Sequence, residues 1–287
     1  MAKIGLIVDE GADLPQNIIK KYKISIVPFK VDLGEMKDIP GNIYQKIKEA
    51  EKRGLKSFVK TSQPSVGDFL SAFKEKFKKF EEIICITITS KLSGTFNSAI
   101  QAKKFLGKEL QEKVSVVDSL SGSSGEGLLV VRAAKLIEKG LEFKEILDNL
   151  KKAVSKTHLI FMLQDPKWLE SSGRIPRILT LWIRQMQKFG IRPLLGAKNG
   201  LIKPIGIKKG VKDLATALFK DFETKISKIK NKKIHVAITH ADNWEEAKKL
   251  KELVNKIENA EIVFISLIGN ILGGLAGPGA LTLGWQE

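Results

Sequence analysis

The sequence holds one cysteine, three histidines, two tyrosines and, by count, six arginines among 287 residues. A lone cysteine cannot close an intramolecular disulfide. Cys85 sits in the apolar run Ile83-Ile84-Cys85-Ile86, so it reads as a buried thiol of a reducing, cytoplasmic protein. None of His158, His235 and His240 has a metal-ligand companion at helical spacing, so no metal site is read. The pattern G-x-x-x-x-G-K-[ST] is missing and no G-x-G-x-x-G follows a strand pattern, which excludes a P-loop and a dinucleotide fingerprint and implies no cofactor. Residues 1–9 reach an acid at Asp9 without an extended apolar stretch, and no secretory signal is read.

What is abundant is lysine. Lys and Arg total 49 against 32 Asp and Glu, a formal charge of +17, and a 43% hydrophobic share excludes disorder over most of the chain. Lysine is a hydrated point charge, whereas base readout and bidentate phosphate clamps favour arginine, so most of this charge needs no ligand. One stretch differs: residues 171–212 contain no acid and ten basic residues. Within it Ile178, Leu181, Trp182, Met186 and Phe189 recur at helical spacing while Arg177, Arg184 and Lys188 fall on another face. An ordinary solvated helix, a dock for an acidic protein and a transient contact with an anionic membrane surface all fit. The scarcity of aromatics argues against nucleic acid. Arg174 stands in a turn ahead of this helix, where it could reach into a cleft between domains.

Alternating β-branched runs and helical periods predict a two-domain α/β protein. Strands are expected at residues 4–8, 25–29, 83–89 and 114–118, with helices at 16–22, 43–53, 66–80, 96–106, 127–140 and 143–154, giving a parallel, Rossmann-like sheet over residues 1–156. Residues 157–287 form a smaller α/β domain with a mixed or antiparallel sheet: strands 158–163, 201–207, 233–239, 262–268 and 280–283, helices 211–229 and 244–257. Residues 262–285 are uncharged, but six glycines and Pro278 make this stretch strand, glycine-rich loop and strand, not a membrane span.

Three hydroxyl-rich clusters follow or precede predicted elements: residues 61–65, 90–98 and 119–125. Each opens a helix, where unpaired N–H groups and added Ser and Thr hydroxyls can hold a carboxylate or phosphate. Simple capping is the alternative, with Ser65 and Asp68 fitting a capping box and Ser93 or Thr95 capping the next helix. Gly122-Ser123-Ser124-Gly125 matches a nucleophile elbow loosely, so a serine-dependent hydrolase or acyl transferase using His240 stays open.

The motifs resemble the DegV family of bacterial fatty-acid-binding proteins. Lys60-Thr61-Ser62-Gln63-Pro64-Ser65 is similar to its T-S-Q-P-S motif and Ser90-Lys91-Leu92-Ser93-Gly94-Thr95, with Ser98-Ala99, to S-K-L-S-G-T-x-x-S-A. Residues 9–15, 117–119, 169–175, 240–242 and 277–280 extend the resemblance along the chain. It implies a noncatalytic carrier that encloses a long-chain fatty acid in an apolar tunnel, with the carboxylate at the domain cleft, and presents it to a separate fatty acid kinase. By position Thr61 and Ser93 would hydrogen-bond the carboxylate, with Ser62, Gly94 and Arg174 as second choices, and the basic stretch as a docking face for kinase or membrane. Three departures stand out: Glu10 replaces the family's Ser, Leu275 its His, and no Arg lies near Lys209.

Overall fold

The computed structural model describes residues 2–171, 177–210, 213–229 and 232–287. The first half runs β1 (Ala2–Asp9), α1 (Gln16–Lys21), β2 (Ser25–Val27), β3 (Lys30–Asp32), α2 (Ile43–Lys52), β4 (Lys60–Ser62) and α3 (Val66–Phe77). It continues through β5 (Phe80–Thr87), α4 (Thr95–Lys104), α5 (Lys108–Glu112), β6 (Val114–Asp118), α6 (Ser123–Glu138) and α7 (Phe143–Val154). After it come β7 (Thr157–Met162), α8 (Lys167–Ser171), α9 (Arg177–Lys188), β8 (Ile191–Lys198), β9 (Leu201–Lys209) and α10 (Leu214–Ile226). The chain closes with β10 (Ile234–His240), α11 (Trp244–Val254), β11 (Ala260–Leu267), α12 (Asn270–Ala276) and β12 (Leu281–Gln286).

Strands β1 and β5 are continuous apolar runs because both faces of their sheet are covered. The order β2-β1-β5-β6 is parallel throughout. One face packs Leu6, Val8, Ile84 and Ile86 against α6 and α7, and the other packs Ile7, Ile83 and Cys85 against Phe69 and Phe73 of α3. Cys85 is buried, and burial pushes its thiol pKa up, which makes it inert. The second sheet, β11-β10-β12-β7-β8-β9, is mixed: β10 and β11 run parallel and the other pairs antiparallel. Phe222, Leu250 and Trp285 fill the side under α10 and α11. The α/β expectation of a parallel first sheet and a mixed second one holds.

Helix α6 packs on strands of both sheets. Its first turn lies on β12 at Gly284, where an added Cβ would stand 2.8 Å from the Ser124 carbonyl carbon and 2.9 Å from the Gly125 nitrogen. Only glycine admits this approach. A two-stranded ribbon, β3 with β4, and helix α12 form an outer layer with Tyr44 and Ile47 of α2 against Leu159 and Phe161 of β7.

Several expectations needed correction. Residues 269–277, read as loop, contain α12. Its glycines serve packing, since a Cβ at Gly274 would stand 2.2 Å from Val59. Strand β8 was not expected, because Pro193 and Gly196 interrupt its pattern, and β3 and β4 are three residues each, too short to show a period. The helix expected from residue 211 starts at Leu214, where Asp213 caps it by accepting from the Thr216 N–H at 2.7 Å. Among the described residues no helix is long and apolar enough to cross a membrane.

Candidate functional site

The hydroxyl clusters lie where the carboxyl ends of the parallel strands meet the second sheet. Thr61 is central in β4 and half-buried, directly opposite Val31 of β3. Directly paired antiparallel residues point to the same face. Val31 packs against the cluster of Phe29, Ile88, Ile271 and Leu272, so Thr61 faces that side too. Ser62, one residue on, is exposed and points away. Gln63 then joins the two family-like motifs: its Nε2 donates to Ser98 Oγ at 3.2 Å, and its amide fills the space where a Cβ at Gly94 would lie, 2.2 Å from Oε1.

Ser93 is half-buried, with its Oγ 2.8 Å from Thr95 Oγ1. Gly94 occupies the N-cap of α4 and Thr95 does not cap it, but Ser93 Oγ accepts from the Thr95 N–H at 3.4 Å, so the expected capping role falls to Ser93. The capping box at Ser65 does form, with Ser65 Oγ accepting from the Asp68 N–H and Asp68 Oδ2 from the Ser65 N–H at 2.7 Å. Arg174 lies outside the described residues.

Beside these loops is an apolar cavity of about 110 Å³. Ile88 and Leu92 wall it from the first sheet, Leu159, Phe161 and Ile202 from the second, and Leu272, Leu275 and Ala276 from α12. Leu275, where the family has His, is therefore part of an apolar wall. Leu92 precedes Ser93, so the cavity begins one residue from the expected carboxylate ligand. Thr89 Oγ1 donates to the Gly200 carbonyl at 3.0 Å, seating the β8–β9 turn on the end of β5.

Sequence reasoning missed what lies beneath. Asp9 Oδ1 accepts from the Gly11 N–H at 2.8 Å and Oδ2 from the Ile88 N–H at 2.7 Å. Asp13 Oδ2 accepts from Ser123 Oγ at 2.6 Å, and the Ser123 hydroxyl continues to Thr239, Thr282 and Ser124 through contacts of 2.6 to 2.7 Å. Burial raises the pKa of both Asp9 and Asp13 to about 7. Glu126 is fully buried, its pKa is pushed well up by burial, and neither oxygen has a hydrogen-bond partner among the described residues. The third hydroxyl cluster is thus a structural network joining α6 to β10 and β12. Asp9, Asp13 and Glu126 gave a weak signal in the sequence, since isolated Asp and Glu usually read as surface residues.

The histidines serve locally. His240 is buried, burial lowers its pKa, and its Nδ1 accepts from the Asn243 N–H at 3.1 Å. His158 stacks on Trp285 with ring centroids 4.8 Å apart. Among the described residues no serine hydrogen-bonds a histidine, and no cluster of His, Cys, Asp and Glu suits a metal ion. In the basic stretch Ile183 is buried, while Leu181, Trp182 and Phe189 are exposed, so this helix presents an apolar as well as a cationic face to solvent. Arg184 pairs with Glu170 at 2.9 Å.

These features define an α/β protein of two sheets with an apolar cavity and a hydroxyl-bearing loop pair at their junction. The model of the DegV family, described as uncharacterised, matches residues 3–287, and the chain belongs to that family. A fatty acid-binding protein of Thermotoga maritima is 29% identical over 293 residues, covering 98% of this chain and 97% of the relative. A DegV domain-containing protein of Halalkalibacterium halodurans is 29% identical over 297 residues, covering 99% of each. Among solved structures, a Thermotoga maritima protein described as revealing a fatty acid binding function superposes with a TM-score of 0.80 at 28% identity, covering 100% of this chain and 99% of its own. A DegV lipid-binding protein of the same organism gives 0.78 at 28% identity, covering 99% and 98%.

Proposed function

We propose that the protein is a carrier for a long-chain fatty acid, with the acyl chain in the cavity between residues 1–156 and 157–287 and the carboxylate at Thr61 and Ser93. The observation that carries the reading is the apolar cavity walled by Ile88, Leu92, Phe161 and Leu272, with Leu92 next to Ser93 in sequence and Val31, which pairs with Thr61, packed on Ile88 and Leu272. Burying each CH₂ contributes ~0.8 kcal/mol, so the cavity supplies affinity and the hydroxyls orientation. The fatty-acid-binding relatives favour the same ligand. Gly94, whose missing side chain makes room for Gln63, shapes the loop that carries Ser93, Ser62 is a secondary candidate on the face opposite Thr61, and Arg174 would add a countercharge. Release to a separate fatty acid kinase or to a membrane surface fits the exposed Leu181, Trp182 and Phe189 beside Arg184 and Lys188. A cytoplasmic location follows from that role.

Native mass spectrometry of freshly purified protein is expected to show the mass increment of a long-chain acid. The Thr61→Ala, Ser93→Ala double variant should lose it. Protein that is free of lipid and also fails to bind added palmitate or oleate overturns the reading.

A further inference from the structure

The C-terminal half of α6 opens on a second cleft, of about 230 Å³. Twelve positions separate Ser123, at the cavity, from Lys135, in this cleft. At the helical rise that is about 18 Å, so the two spaces are distinct. Leu128, Val131, Leu136 and Val263 give the cleft an apolar floor, and Arg132, Lys135 and Lys139 give it a cationic rim.

Arg132 is held rigidly. Its Nε donates to Gln286 Oε1 at 2.6 Å, Nη1 to Asn149 Oδ1 at 3.1 Å and Nη2 to the Glu287 main-chain oxygen at 2.6 Å. These acceptors are two side-chain amides and the main-chain oxygen of the last residue. Two of its five N–H groups remain for a ligand. Lys135 and Lys139 lie one turn apart and neither is in an ion pair among the described residues. Of the nearest acids, Glu138 faces Lys21 at 3.7 Å, and Glu261, held by Lys233 at 2.6 Å and lying 3.6 Å from His235 Nδ1, also lies within electrostatic reach of Lys135. The helix dipole favours lysines near the end of α6. It does not account for Arg132, which stands nearly two turns earlier and is clamped from α7, β12 and the chain beyond.

We propose that this cleft binds a small phosphorylated molecule with an apolar body. The phosphate sits between Lys135, Lys139 and the remaining Arg132 donors, and the body lies on the Leu128 and Val263 floor. Lys135, Lys139 and the Arg132 guanidinium converge on one cleft, where a dianion gains more than a carboxylate, and a fixed arginine supplies direction as well as charge.

Isothermal titration at constant ionic strength with phenyl phosphate, benzoate and inorganic phosphate tests it. Phenyl phosphate should bind one per chain, tighter than inorganic phosphate because of the floor and tighter than benzoate because of the charge. Lys135→Glu with Lys139→Glu should weaken it at least about tenfold, with the thermal midpoint unchanged. If the charge reversal lowers the midpoint, Lys135→Gln with Lys139→Gln serves in its place. Absence of saturable phenyl phosphate binding, equal affinity for benzoate, or binding that ignores the lysine substitutions overturns the proposal.

Discussion

The Asp13 carboxylate accepts the Gly269 backbone N–H at 2.8 Å, tying the end of β1 to the residue that caps α12, 256 positions away. Its other oxygen takes the Ser123 hydroxyl, so one buried side chain fixes cavity walls on both sides. Burial raises its pKa from the ordinary 3.8 to about 7. Between those values the folded state keeps a proton that the unfolded chain has released. The stability contributed by protonated Asp13 is therefore full below about 4 and is lost as pH rises through about 7. Lys76, lowered by burial to about 8, acts above this window. Asp13→Asn keeps the Gly269 contact through its carbonyl and can donate its amide to Ser123, which removes the titration and retains the network. In urea unfolding from pH 4 to 7, the stability of the parent chain relative to Asp13→Asn should fall. Asp13→Ala should be less stable than Asp13→Asn by about 1–3 kcal/mol at all pH values, since it leaves the Gly269 N–H unpaired. A parent chain and Asn variant that track each other across the window would show Asp13 to be ionised throughout.

The cavity assignment predicts a change in ligand length. Ala197 lines the cavity from β8 and is only half-buried, so a larger side chain there intrudes on the space without entering the packed core. Ala197→Phe should select shorter acids, read as a lower mass increment in native mass spectrometry, or empty the site. An unchanged ligand profile would place the acyl chain elsewhere.

Leu275 bears on the head of the ligand. An apolar wall there stabilises chain methylenes and offers nothing to a carboxylate, whereas a histidine adds a donor worth about 1.5–3 kcal/mol to a charged partner. With the carboxylate at Thr61 and Ser93, Leu275→His should tighten palmitate on the order of tenfold and leave methyl palmitate unaffected. Equal changes for acid and ester would mean that residue 275 touches the chain and not the head.

The parallel sheet was legible because β1, β5 and β6 are apolar runs separated by amphipathic helices, and that periodicity needs only local sequence. Ser65 with Asp68 was legible for the same reason, a cap being complete within four residues. The walls of the cavity were not. Leu272 and Leu275 sit in a stretch where Gly273 and Gly274 read as loop. Their purpose, admitting Tyr44 and Val59, depends on residues more than 200 positions away. Asp9 and Asp13 were read as motif positions, and their burial follows from long-range partners at Ile88, Ser123 and Gly269 that no local pattern encodes. Thr61 and Ser93 came from motif resemblance; Ser93 follows the cavity residue Leu92, while the face that Thr61 presents depends on the β3–β4 ribbon, too short to announce itself.

One residue of the Thr-Ser-Gln-Pro-Ser motif can be separated from the ligand. Ser65 caps α3, its Oγ accepting from the Asp68 N–H at 3.2 Å and donating to Asp68 Oδ2 at 2.7 Å. Its hydrogen bonds are therefore spent within the first turn, and these same contacts hold the Asp68 carboxylate below its usual range. Ser65→Ala should cost about 0.5–2 kcal/mol of stability, read as a lower urea midpoint. It should leave the bound lipid and its affinity as they were. Thr61→Ala should lose the retained acid, since Thr61 lies mid-ribbon on the Val31 face. Paired measurements of midpoint and lipid occupancy on the two single variants thus divide the motif into a capping part and a binding part. If Ser65→Ala also lost its lipid while keeping its midpoint, the division would be wrong and the carboxylate would lie at the start of α3.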